Sequence, residues 1–186
     1  MDIFIYEDKK RMKMKKYIMK FLGGLLVFCI IFLFCAKIVD LHRDGIVLRD
    51  GTYYFNSAYH NGLARLVVDV TDGMDQVDTS LRLWPVNYSY AQQFELENIE
   101  GHKYIIRYGS LCLGVNDDTQ DVVLQEYNGQ EDQQWDIERI NSSQYFRISN
   151  AKSGLSMEAV KEQQVTYYAI KVTQYIQEDK SFYFQL

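Results

Sequence analysis

QQFELE (Gln92 to Glu97) returns as QQWDIE (Gln133 to Glu138) and, in altered form, as SFYFQL (Ser181 to Leu186). This recurrence decides the fold. The three closing aromatics, Phe94, Trp135 and Phe184, stand 41 and 49 residues apart, the spacing of a repeated supersecondary unit. Each closer is preceded by a Tyr-containing alternating passage: TYYFNS (Thr52 to Ser57), KYIIRY (Lys103 to Tyr108) and QYFRIS (Gln144 to Ser149). Between opening and closing lie two further short apolar runs: LVVDV and LRLW, then LCLGV and VVLQEY, then LSMEAV and IKVTQY. All are brief, rich in β-branched or aromatic residues, and separated by Gly, Asn or Asp. After Asp40 no apolar stripe keeps a helical period over a long window. The pattern predicts an all-β body at 51–186, with about four short strands in each of three repeats (about 51–100, 101–142 and 143–186). Four short strands cannot bury their own apolar face, so the three units must share one core, and a closed barrel removes their exposed edges.

Composition agrees. The chain has 186 residues, enough for one domain with an appendage. Hydrophobic residues at 47% and charged residues at 24% exclude wholesale disorder. Aromatics reach 15% with a single proline, which leans toward strands. Three cysteines cannot build a disulfide framework. The net charge of -5 divides into +4 over residues 1–36 and -9 over the rest. An acidic body without a basic stripe offers no footprint to a polyanion, so nucleic acid is excluded as its partner.

The appendage contains FLGGLLVFCIIFLFCA (Phe21 to Ala36), sixteen residues without a charge. At about 1.5 Å per residue it covers roughly 24 Å; Ile18, Met19, Ile38 and Val39 extend it toward a hydrocarbon thickness of about 30 Å. Lys20 and Lys37 can snorkel to the headgroups. The reading is a basic cytoplasmic tail (1–20), a single transmembrane signal-anchor helix touching lipid (21–39), a connector (40–50) and an outward-facing body. A cleaved signal peptide, which would leave the body secreted, is the rival. Against it, the apolar stretch is long for a signal, and Phe32, Phe34 and Cys35 crowd the place where cleavage wants small residues. Cys29 and Cys35 read as apolar filler.

The closers, together with LVVDVTDG (Leu66 to Gly73), LRLWPVN (Leu81 to Asn87) and AQQFEL (Ala91 to Leu96), resemble the ricin B-type lectins, the QxW-repeat β-trefoils. The resemblance spans 51–186. It implies up to three shallow sugar sites. In each, an Asp of the LDV-like strand accepts hydroxyl hydrogen bonds, an aromatic of the QLW-like strand stacks on the pyranose, and amides near the closer complete the ring. Such a division suits a ligand with a polar rim and C–H faces. Carried onto this chain, the first repeat supplies Asp69 as acceptor and Trp84 as platform, with Arg82, Asn87 and Gln92 completing the rim. Arg82 stands where the family commonly has Gln, and Ala91 where it commonly has Asn. The second repeat offers Gln125, Tyr127 and Gln133, with Asp132 for the usual Asn, but Gly114 replaces its acceptor. The third offers Glu158 and Tyr175, with Thr173, Ser181 and Phe182 in place of the polar complement. The implied protein is a non-catalytic, membrane-anchored lectin for a glycan or polysaccharide. Its best-kept site is in the first repeat, it has no cofactor, and it gains avidity by clustering in the membrane. Trp84 is the sharpest test. Pro85 ends its strand and argues for the rim, whereas a buried Trp84 would make it a core residue and remove most of the support.

The remaining features read as structural. Asp69, Asp72, Asp75 and Asp78 recur at every third position but lack a calcium-loop pattern, so they read as a solvated turn with Asp69 alone facing a ligand. His42, His60 and His102 are scattered, and no metal motif, phosphate loop or nucleophile elbow is present in the sequence. Trp135 and Cys112 read as buried. The sequons at Asn87 and Asn141 matter only in a glycosylating source. The other class consistent with the decayed second and third repeats is a trefoil that has lost sugar binding and presents its loops to a protein.

Overall fold

The computed structural model describes residues 46–186 apart from 60–64, 142, 162–167 and 178. The basic tail, the expected membrane span at 21–39 and residues 40–45 of the connector lie outside the described residues. Among the described residues no helix is long and apolar enough to cross a membrane.

The body is all-β. Among the described residues thirteen strands follow in chain order: β1 (Gly51–Tyr53), β2 (Asn56–Ser57), β3 (Leu66–Val70), β4 (Leu81–Pro85), β5 (Phe94–Glu100), β6 (Lys103–Tyr108), β7 (Leu111–Val115), β8 (Val122–Gln125), β9 (Trp135–Arg139), β10 (Phe146–Asn150), β11 (Ser156–Lys161), β12 (Tyr168–Thr173) and β13 (Phe184–Gln185). The first opening passage is interrupted between β1 and β2; counted as one strand, it gives four strands per repeat.

Antiparallel pairs close a ring. β1 pairs with β5, β5 with β6, β6 with β9, β9 with β10, β10 with β13, and β13 returns to β2. Three hairpins, β3–β4, β7–β8 and β11–β12, complete the repeats. They meet one another through β4 with β12 and through the single bridges Ser80 to Val123 and Asp121 to Lys171. This is a β-trefoil, as the repeat predicts.

Each closing aromatic begins a strand directly after a one-turn 3-10 helix: Tyr90–Gln92, Glu131–Gln133 and Lys180–Phe182. Phe94, Trp135 and Phe184 are each 0% exposed and join Phe55, Tyr104, Ile106, Leu113, Ile148 and Ile170 in one core. The Trp135 indole Nε1 donates to the Leu113 carbonyl at 3.0 Å, so its one polar atom is satisfied inside the core. Cys112 is also fully buried, and burial pushes its thiol up to about 11, which fits an inert apolar residue. The described end of the connector is tied to the barrel. The Leu48 amide donates to the Tyr104 hydroxyl at 2.7 Å, and that hydroxyl lies 3.1 Å from the Leu48 carbonyl.

Replacing Trp135 with Phe removes ring volume and strands the Leu113 carbonyl. Urea denaturation should show a loss of about 2–4 kcal/mol, read as a lower midpoint at unchanged slope. A loss below about 1 kcal/mol would show that the core repacks around the smaller ring.

Candidate functional site

The first repeat's hairpin sets the site. In β3 and β4, Asp69 lies opposite Arg82 and Val67 opposite Trp84. Pro85 ends β4, and Trp84 stands at the rim with 38% of its surface exposed. After β3 the chain turns sharply through Asp72 and Gly73, both in the left-handed region (φ 56° and 66°), which returns Asp72 toward Arg82. Asp69, Asp72, Gly73, Arg82, Trp84 and Asn87 line an open cavity of about 330 Å³, with Ser89, Tyr90, Ala91 and Tyr108 along its other wall. The cavity holds a broad aromatic edge, one carboxylate at its base and one at its mouth, a guanidinium and an amide. That is the chemistry of a polyhydroxylated ligand with an apolar face.

Asp69 sits deeper than the sequence suggests. The resemblance has it facing the ligand, yet Asp69 is only 3% exposed. Gln92 Nε2 donates to its Oδ2 at 3.2 Å, and Arg82 Nε donates to its Oδ1 at 3.2 Å. Burial pushes the Asp69 carboxyl above the ordinary carboxylate range, opposed by these two hydrogen bonds and by the Arg82 charge. Gln92, expected on the rim, is 0% exposed. Its Oε1 accepts from the amides of Asn87 (2.9 Å) and Tyr88 (3.1 Å), and its Nε2 also donates to the Pro85 carbonyl at 3.1 Å. All four of its hydrogen-bonding positions are therefore filled by the chain. Gln92 orients Asp69 from beneath and holds the loop that carries Asn87.

Arg82 also differs from expectation. It is not a free rim donor. Its guanidinium carbon lies 4.2 Å from the centre of the Trp84 ring, while Nη2 reaches Asp72 Oδ1 at 3.2 Å. One side chain thus bridges acceptor, platform and loop.

Strand register corrects the other two repeats. The residue opposite the acceptor is Arg82 across from Asp69, Val123 across from Gly114, and Lys171 across from Glu158. Two residues further on, the place of Trp84 is taken by Gln125 and Thr173, opposite Cys112 and Ser156. Tyr127 and Tyr175, expected as platforms, lie two residues beyond that place and outside the strands. Each carries a guanidinium: Arg107 at 4.7 Å over Tyr127 and Arg147 at 4.9 Å over Tyr175. These arginines are paired in turn with Glu97 and Glu138. Tyr175 and Arg147 line a separate cavity of about 270 Å³ with Glu138, Arg139, Ile140 and Asn141; Glu158 is not part of its lining.

In the second repeat the amide of Gln125 fills the space left by the missing acceptor. A Cβ on Gly114 would lie 2.1 Å from Gln125 Oε1. That oxygen accepts from Gln133 Nε2 at 3.0 Å, the role Asp69 Oδ2 plays toward Gln92. Gln133, 0% exposed, repeats the loop-holding bonds of Gln92: its Nε2 donates to the Glu126 carbonyl and its Oε1 accepts from the Asn128 amide. Asp132, on the same turn, keeps a buried Oδ1 without a protein partner. In the third repeat Thr173 donates to Glu158 Oε2, and the Ser181 hydroxyl lies 3.1 Å from Glu158 Oε1. The buried Phe182 takes the place of Gln92 and Gln133 at the end of the 3-10 turn. The acceptor places of the second and third repeats are thus closed on themselves, whereas that of the first opens onto its cavity. Sequence reasoning missed Tyr90, Tyr108 and Asp72 as walls of that cavity. The wall aromatics come from the closer turn and the next repeat, and no motif marks them.

Comparison with known proteins bears on the fold. The sequence profile described as "Ricin-type beta-trefoil lectin domain" matches residues 57–181. No curated protein matches the chain in sequence. Among solved structures, the designed threefold-symmetric protein ThreeFoil superimposes with a TM-score of 0.62 at 18% identity, over 73% of this chain and 97% of that one. The Polyporus squamosus lectin, bound to the human-type influenza-binding epitope Neu5Aca2-6Galb1-4GlcNAc, gives a TM-score of 0.60 at 16% identity, over 75% of this chain and 49% of that one. The hemolytic lectin CEL-III gives 0.54 at 16% identity, over 76% and 31%. The chain therefore spans less than half of either lectin, and at these identities the likeness establishes fold alone.

Gly114→Ala should push Gln125 out of place, break its bonds to Gln133 and Val115 and cost about 1–3 kcal/mol in thermal or urea unfolding. Adding Gln125→Ala should recover part of that loss. Purely additive losses would show that the two residues do not share one space.

Proposed function

The chain belongs to the ricin-type β-trefoil lectin family, and from that premise we propose that it binds a glycan or polysaccharide reversibly through the first-repeat cavity. The observation that supports this most is the exposure of Trp84 at the mouth of a cavity whose base is the carboxylate of Asp69. Trp84 is the platform for the apolar face of a sugar ring, Asp69 the hydroxyl acceptor, and Asn87 an amide at the rim. Gln92 acts as a positioning residue through Asp69. The mode of action is binding without bond cleavage. One open site of this kind is weak by itself, so useful avidity comes from a repetitive ligand or from several copies held close together.

The site of action proposed is the outer face of a membrane, with 21–39 as the anchor and lipid contact and 1–20 on the cytoplasmic side; this rests on the sequence alone. The rival role, a trefoil that engages a protein through its loops, is favoured by the self-closed second and third repeats.

Titration against galactosides, xylans and cell-wall glycans tests the reading. Wild-type protein should saturate, and Trp84→Ala, which removes an exposed ring and leaves the core intact, should weaken binding on the order of tenfold at unchanged melting temperature. Folded wild-type protein that binds no glycan, even in multivalent form, would sink the lectin role and leave the protein-binding one.

The pH dependence has a definite sign. Sugar hydroxyls need the ionised Asp69, whose pKa is raised above 3.8, so affinity should fall on acidification with a midpoint above that value. Affinity that does not fall on acidification of the folded protein would remove Asp69 as the acceptor.

A further inference from the structure

The cavity of the first repeat already has an occupant. Arg82 hydrogen-bonds the base carboxylate through Nε and covers the Trp84 ring at 4.2 Å with the same guanidinium. These are the two places a stacked, hydrogen-bonded sugar would touch. The Asp69 side chain is 4% exposed and that of Arg82 13%, so of the bonded pair the guanidinium is the part nearer water. The outer hold is different in kind. Nη2 pairs at 3.2 Å with Asp72, whose side chain is 68% exposed on a turn held in the left-handed conformation. An exposed ion pair contributes little and is screened by salt. The cation–π contact and the hydrogen bond to Asp69 are individually modest as well.

We propose that Arg82 is an internal ligand of the first-repeat site: it occupies the place of the sugar between Asp69 and Trp84, and it sets affinity by having to leave before a neutral sugar can stack. This rests on the carbohydrate-binding reading above and adds its control. In the closed form the guanidinium holds the acceptor and the platform. In the open form the Arg82–Asp72 pair and the stack on Trp84 are broken, the arginine turns into solvent, and a sugar hydroxyl takes up the Asp69 oxygen. A ligand that requires a state populated at a tenth or less binds about tenfold or more weaker than the same site held open. An anionic sugar would instead meet two carboxylates beside the guanidinium, Asp69 and Asp72, so the ligand class is neutral.

The chain has only two tryptophans, and Trp135 is fully buried, so collisional quenching of indole fluorescence by acrylamide reports access to Trp84 without any sugar. The experiment uses the full-length protein with Arg82→Gln, which keeps polar reach to Asp69 but loses the charge and the planar cation, and with Asp72→Asn, which removes only the outer hold and tolerates the same backbone conformation. Both variants should raise quenching of the exposed indole. Salt should raise it in the wild type and leave Asp72→Asn unchanged. Methyl β-galactoside and xylobiose, taken as neutral probes, should bind Arg82→Gln about tenfold or more tighter than wild type and Asp72→Asn about two- to fivefold tighter, while galacturonic acid should not gain.

Unchanged quenching in both variants overturns the proposal, whatever the sugars do. Loss of neutral-sugar binding in Arg82→Gln, with the melting temperature kept, makes Arg82 a direct contact and also overturns it. Raised quenching with no glycan bound by any variant upholds the covered platform and overturns the lectin reading instead.

Discussion

The structure depends on three aromatic rings having nowhere to go but the same interior. Phe94, Trp135 and Phe184 each begin the last strand of a repeat, and each repeat alone is a set of short strands with one apolar face. Packed together, the repeats bury all three rings completely and bring the last strand back to the first opening passage through the pairing of β13 with β2. The 3-10 turn before each ring is part of the same constraint. It brings Gln92 and Gln133 under the hairpins, where each spends its amide on the loop that follows the hairpin's second strand. The site is therefore suspended from the core by its own closers.

One scaffold position can hold very different chemistry. The acceptor place is a carboxylate in the first repeat, a glycine whose space an amide fills in the second, and a longer carboxylate held by two hydroxyls in the third. In every case the chain satisfies the group from within, because a buried carboxylate or amide without a partner is costly. What separates the first repeat is that its satisfying group is an arginine with an exposed outer contact. The polar network of the second and third repeats is local and tight. That of the first reaches the surface through Asp72 and Trp84.

The arginine-on-aromatic arrangement recurs in all three repeats, but it is built in two ways. Arg107 and Arg147 come from the opening strands and are paired with Glu97 and Glu138, which makes them struts along the barrel wall. Arg82 comes from the hairpin itself, two residues before the platform it covers and on the same strand. Similar pairs of side chains thus line the barrel wall in the second and third repeats and cover the candidate platform in the first.

By itself the sequence determined the threefold repeat, the strand count and the buried closers, because these follow from alternation, turn residues and spacing along the chain. It also placed Trp84 at the rim, since Pro85 must end the strand. It did not show that Tyr127 and Tyr175 miss the platform position by two residues. Backbone pairing across the hairpin sets that position, and counting from the nearest aromatic does not. Nor did it show that Gln125 fills the gap at Gly114, that Gln92 lies wholly beneath the site, or that Arg82 lies on Trp84 while bonded to Asp69. Those facts belong to tertiary structure alone. They depend on which side chains become cross-strand neighbours and how far each is removed from water, and residues eleven to twenty-three positions apart acquire that relation only when the sheet has formed.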